Sequence, residues 1–117
     1  MKALLIDPTT LSVNEIEISQ EKFLGDLYDA IGCNLVERVC IEDEQGRTYE
    51  IWVDEEGLFT IDPEAVCMFA FEGYPQPLAG KGVLLGATPD FYESADTPLS
   101  ALDAFKRTKF IRPISLL

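Results

Sequence analysis

The chain has 117 residues, 47% hydrophobic and 26% charged, with 21 acidic against 9 basic side chains and a net charge of −12. That length suits one domain and that apolar content supplies a core, which excludes wholesale disorder. The charge argues against direct grip on a phosphate backbone, which Lys and Arg drive by displacing counterions, and against an anionic membrane surface.

Lys2–Asp7 reads as a short strand buried on both faces and stopped by Asp7-Pro8. Its apolar run is too short for the roughly 7–15 residues of a signal-peptide core. No stretch elsewhere approaches the roughly 18 apolar residues of a membrane span. Asn14–Ile18 alternates with period two, so it reads as a strand with one wet face and an N-terminal hairpin is the simplest pairing. Ser19 is the expected N-cap of a helix over Gln20–Ile31, with Phe23, Leu24, Leu27, Tyr28 and Ile31 on its apolar face. Gly32 supplies the left-handed stop.

Leu35–Ile41 is rich in β-branched residues, and Glu42-Asp43-Glu44-Gln45-Gly46 turns the chain. Thr48–Val53 returns with Tyr49, Ile51 and Val53 on one face. Asp54–Gly57 predicts a second turn and Leu58–Ile61 an extended run ended by Asp62-Pro63. Val66–Phe71 suits a strand, with a short helix from Pro63 as the alternative. Gly73–Gly82 holds three Gly and two Pro in ten residues and predicts a loop. Val83–Leu85 predicts a short buried strand ending at Gly86, and Ala87–Ala95 has no clear hairpin signal. Thr97-Pro98 reads as an N-cap with proline at the first helical position. Leu99, Leu102 and Phe105 then face the core, and Lys106, Arg107 and Lys109 suit the negative end of the helix dipole, before Arg112-Pro113 ends the element. Strands outnumber helices and follow one another through short turns. The expected fold is therefore one α+β domain over residues 1–117, a largely antiparallel sheet with two helices packed on one face.

The chain has no histidine, which removes His-based triads, His general bases and His-containing metal sites. A phosphate-loop pattern fails at Gly80-Lys81, because Pro75 stands where its first Gly belongs and Gly82 follows the Lys. Neither acidic turn fits a calcium loop, since counting back from Gly46 or Gly57 puts Ile41 or Trp52 at the first ligand position. Cys33, Cys40 and Cys67 are odd in number and lack C-x-x-C spacing, which suits buried reduced thiols and a cytoplasmic location. No metal or cofactor is expected. An enzyme of unknown type is the least supported reading, because paired carboxylates arise by chance in so acidic a chain.

Two sets of residues remain as candidates. Residues 42–56 hold Glu42, Asp43, Glu44, Glu50, Asp54, Glu55 and Glu56 against the single Arg47, whereas the last twelve residues hold four basic side chains and no acid. Acids at hairpin edges and turn tips serve solubility in their own right. The sharper reading makes Glu42, Asp43, Glu44, Asp54, Glu55 and Glu56 a surface that imitates rows of phosphates and docks into a basic groove on a host protein. The alternative set is Tyr74, Gly80, Lys81 and Gly82 with Trp52, offering backbone N–H groups, a cation and a stacking ring to a small anionic ligand such as a nucleotide. The same Gly and Pro residues also shape a tight crossing between strands. Trp52 reads first as a core or sheet-face residue. Its polar alternation partners Thr48 and Glu50 admit a wet face, where an exposed Trp marks a contact site. A homodimer through an edge strand or a Trp52 patch stays open.

Met1–Pro8, Ile31-Gly32-Cys33, Trp52–Leu58 and Gly73–Gly82 together resemble a domain-of-unknown-function family of small proteins. Its members are carried by phages, plasmids and other mobile elements, and by bacteria that host them. The likeness covers roughly residues 1–86 and is most specific in the segments W-V-D-E-E-G-L and G-Y-P-Q-P-L-A-G-K-G. The resemblance implies no established activity and no catalytic residue. It does imply a setting in which small acidic proteins often inhibit host defence enzymes. The resulting expectation is a non-enzymatic, cytoplasmic interaction protein, either a host-defence inhibitor or a nucleic-acid mimic, that contacts a host protein and no nucleic acid or membrane.

Overall fold

The computed structural model describes residues 1–57 and 68–111. In chain order its elements are β1 (Lys2–Asp7), β2 (Ser12–Glu17), α1 (Phe23–Ile31), β3 (Val36–Glu42), β4 (Thr48–Asp54), β5 (Met68–Phe71), β6 (Leu78–Ala79), β7 (Gly82–Ala87), β8 (Ser94–Ala95), α2 (Ala101–Arg107) and β9 (Thr108–Ile111). Every pairing among them is antiparallel. The main sheet runs β2-β1-β7-β4-β3, with β8 added to β7, and a second sheet runs β6-β5-β9.

The centre of the main sheet is β7, and its sequence explains why. Val83, Leu84 and Leu85 form an unbroken apolar run, all three with no solvent exposure. A strand without alternation has two faces to hide. Leu84 joins Leu4, Ile6, Tyr49, Ile51 and Phe69 in one cluster. Val83 and Leu85 join Ala3, Leu27 and Ile31 in the other. Pairing with β1 on one side and β4 on the other satisfies the backbone between these two layers.

This two-sided burial overturns the expectation that both helices share a face. Leu27 and Ile31 place α1 on the Val83 and Leu85 side, while Ala104 of α2 belongs to the cluster around Leu84. The second sheet, through Phe69, Phe71 and Leu78, covers that same side. The order of layers is helix, main sheet, then small sheet with a helix.

Both helices begin three residues later than the sequence suggests, and each buries fewer of its expected core residues. Lys22 caps α1 without a side-chain bond. Ser19 instead folds the preceding turn: its hydroxyl accepts from the Lys22 N–H at 3.2 Å and its own N–H donates to Asp26 at 2.8 Å. Leu24, expected in the core, is 50% exposed. Ser100, accepting from the Asp103 N–H at 3.1 Å, caps α2, while Thr97 accepts from the Leu99 N–H ahead of it. Three residues at 3.6 per turn set the helix about a turn further on. Ala104 is the buried residue of α2, and Leu102 and Phe105 face outward at 62% and 46% exposure. Lys106 and Arg107 do occupy its last turn, but Lys109 lies in β9. Gly32 ends α1 in the left-handed region at φ 80°, as its sequence position implies.

Other boundaries follow local chemistry. Met68–Phe71 is strand rather than helix. The Gly73–Gly82 stretch is loop apart from Leu78–Ala79, which pairs with β5, and Gly82, which opens β7. Beyond Gly86 the chain does form a hairpin, with Gly86 opposite Ala95. Its sequence signal is weak because the returning strand has only two residues. The expectations for residues 58–67 and for Arg112-Pro113 lie outside the described residues.

Gly82 is required by packing. A Cβ there meets Phe69 Cζ at 2.7 Å and Ile51 Cγ2 at 3.0 Å, whereas one on Gly25 in α1 meets nothing within 4 Å. Gly82→Ala is therefore expected to lower stability by about 1–3 kcal/mol through overpacking. Gly25→Ala should raise it by about 0.5–1 kcal/mol. Thermal melts of the two variants beside the wild type check both signs.

Candidate functional site

The six acids singled out in the sequence do not form one face. Glu42 lies opposite Thr48 and Val36 opposite Asp54 in the β3–β4 register. Glu42, Asp43 and Glu44 therefore sit at one end of β4, and Asp54, Glu55 and Glu56 at the other, about 20 Å away along seven strand residues. Some of them are already committed to the backbone. Asp43 accepts from the N–H groups of Gln45 and Arg47 and, at 2.8 Å, from Arg47 Nε. Asp54 accepts from the Glu56 N–H at 2.9 Å. Partial burial pushes the Asp43 carboxyl up, but the Arg47 backbone and side-chain bonds and the Gln45 bond outweigh it and hold the group below its ordinary value.

The sheet order regroups the acids instead. The turn after β3 lies beside the turn after β7, because Thr48 donates to the Ala87 carbonyl at 2.6 Å and Tyr49 pairs with Gly86. Glu42 and Glu44 thereby share one end of the sheet with Asp90 and Glu93, all four exposed. The basic groups nearby are occupied: Arg47 pairs with Asp43, Arg38 with Glu50 and Lys2 with Glu15.

The glycine-rich set is divided by the sheet. Tyr74 packs against the cluster around Leu84, and Trp52 against the cluster on the α1 side. Gly82 pairs with Ile6 and Val53 inside the sheet, and Gly80 takes a turn conformation at φ +78°. Lys81 lies close enough to Asp7 to help lower that carboxyl, which burial raises and bonds from Thr9 pull down. Tyr74 and Trp52 therefore share no space. The half-buried Trp52 ring meets Phe23 of α1 edge-on at 5.4 Å, so it is a sheet-face residue covered by the helix, and the alternative of a wet face does not hold.

That covered face holds the one charged residue that is fully buried among the described residues. Glu50 is fully buried. Its carboxylate accepts from Trp52 Nε1 at 3.0 Å, from Arg38 Nη1 at 3.2 Å and from the Ser94 hydroxyl. Arg38 also donates to the Phe91 carbonyl at 2.6 Å and stands 6.0 Å from the Trp52 ring centre. Three strands thus supply the donors: β3, β4 and β8. The Ser94 side faces an open groove lined by Met1, Gln20, Phe23 and Glu93. A buried carboxylate is tolerable only with such partners. Alternation with Trp52 is the sequence signal that places Glu50 on this face. It points to burial only once α1 is assigned there. Cys40, opposite Glu50, is exposed on the edge strand, and Cys33 is half-buried, so the expectation of buried thiols does not hold for either. Cys67 lies outside the described residues.

Among the described residues no group of three or more metal-ligating side chains occurs, and no helix is long and apolar enough to cross a membrane. The profile of a domain of unknown function, DUF3846, matches residues 1–107, and the chain belongs to that family. The match runs past Gly86 through β8 and α2. The chain is 31% identical over 116 residues to the uncharacterized protein y4iR of Sinorhizobium fredii (strain NBRC 101917 / NGR234). That alignment covers 96% of this chain and 65% of y4iR, so the chain spans just under two thirds of the curated relative it matches. No solved structure matches the chain.

Three outcomes are expected at these groups. A depressed carboxyl stabilises the fold above its ordinary value of 3.8, and that contribution is lost as pH falls through the folded value. The melting-temperature difference between wild type and Asp43→Asn should therefore be present at pH 7 and vanish well below pH 3.8. Arg38→Ala strands the Glu50 charge and is expected to cost about 3 kcal/mol in denaturant unfolding. Arg38→Met with Glu50→Gln, which removes both charges, should stay within about 1 kcal/mol of wild type.

Proposed function

We propose that this protein is a non-enzymatic interaction protein of a phage or mobile element, acting in the cytoplasm on a host protein with a basic surface or groove. Inhibition of a host defence enzyme by imitation of nucleic acid is the form of action that fits best. The observation that supports it is the end of the sheet where Glu42, Glu44, Asp90 and Glu93 are exposed together while Arg47 and Arg38 are tied to other carboxylates. Charge gathered at one end, paired with no basic group among the described residues, steers a positive partner and gives specificity through complementary potential. The mobile-element setting rests on the likeness carried by the Trp52–Leu58 and Gly73–Gly82 segments. The division of Tyr74 from Trp52 by the sheet deprives the small-ligand alternative of a second ring beside Tyr74.

Capture from host lysate at low and at high salt tests this reading, with Glu42→Gln/Glu44→Gln compared against Glu55→Gln/Glu56→Gln. A partner held at low salt should be released as salt rises and should weaken about tenfold with the first pair. Capture indifferent to salt, or lost equally with both pairs, contradicts the proposal.

A further inference from the structure

The turn between β7 and β8 is cross-bonded within itself and tied to the sheet. Within it Phe91 donates its N–H to the Thr88 carbonyl at 2.7 Å, and Thr88 donates to the Glu93 carbonyl at 3.0 Å. Tyr92 donates to Asp90 at 3.0 Å, and Glu93 to the Thr88 hydroxyl at 3.1 Å. Phe91 adopts φ +59°, a left-handed conformation that L side chains enter at a cost. Such residues persist where their surroundings over-determine them. Here Arg38 supplies the constraint: it reaches from the edge strand β3, pairs with the buried Glu50 and spends a second bond on the Phe91 carbonyl. Ser94, at the far end of the turn, is fastened to the same carboxylate. The tip so held presents Tyr92 at 84% exposure, between the exposed Asp90 and Glu93.

We infer that Arg38 and Glu50 are positioning residues for this turn. The ion pair between the exposed Arg38 and the buried Glu50 holds residues 88–93 in one conformation, so that Tyr92 meets a basic partner surface as a preformed aromatic anchor. Such a pair adds little stability over apolar residues of similar size, but it fixes geometry between strands. Preorganisation of a loop removes the ordering cost of binding, and an exposed tyrosine carries contact area at low entropy. The partner chemistry is arginine-rich, because guanidinium groups stack on a tyrosine ring and pair with the flanking carboxylates.

The inference deepens the function proposed above and rests on it for the surface served. The ordering itself is read on the free protein, so that the two fail separately. The Arg38→Met/Glu50→Gln protein has the wild-type net charge, and amide hydrogen exchange is measured on it by NMR. The amides of Thr88, Phe91 and Glu93 should exchange about tenfold faster while those of β7 are unchanged. A merely structural pair moves both sets together. That result, or loop amides that do not change, overturns the inference. Tyr92→Ala should leave exchange unaltered and weaken binding of an oligo-arginine peptide about fivefold. Equal affinity removes Tyr92 from the contact.

Discussion

A central strand with two apolar faces governs the rest of this molecule. β7 offers Leu84 to one side and Val83 and Leu85 to the other, all fully buried. Each face therefore needs its own cover. One receives α1; the other receives the small sheet and α2. The glycines at 82 and 86 belong to the same constraint. Phe69 of the covering sheet closes over the first, and a Cβ on the second would lie 2.2 Å from the Asp96 carbonyl oxygen.

The same layering explains the buried charge. On the face that carries Trp52, Glu50 is fully buried among Arg38, Trp52 and Ser94. It survives there because Arg38, Trp52 and Ser94 all donate to it. This small polar centre joins β3, β4 and β8 across the interior, and through Phe91 it reaches the turn at the acidic end of the sheet. Core architecture and surface presentation are linked through one carboxylate.

Much of the local structure is legible in the residues. The β3–β4 hairpin with Tyr49, Ile51 and Val53 inward, the left-handed stop at Gly32 and the doubly buried Val83–Leu85 run follow from periodicity and backbone chemistry. Misplaced faces have specific causes. Ser19 and Thr97 look like N-caps and do bond nearby N–H groups, but within turns that precede the helices, so Leu24, Leu102 and Phe105 read as core and lie outward. Chain proximity also misleads for charge: Glu44 and Asp54 are close in sequence and stand at opposite ends of a strand.

The sequence by itself determined the β3–β4 hairpin, the end of α1 and the buried β7 run, with the acidity and the absence of histidine chemistry, because propensity, periodicity and titratable groups are properties of residues and their near neighbours. The side of the sheet that each helix covers, the burial of Glu50, and the meeting of the 42–44 turn with the 88–93 turn were decided only by the tertiary structure. Each depends on pairing between strands far apart in the chain, such as β1 with β7 and β4 with β7. No local pattern encodes a partner thirty residues away. Two-sided burial of one strand imposes that order, and the position of every charge at the sheet's ends follows from it.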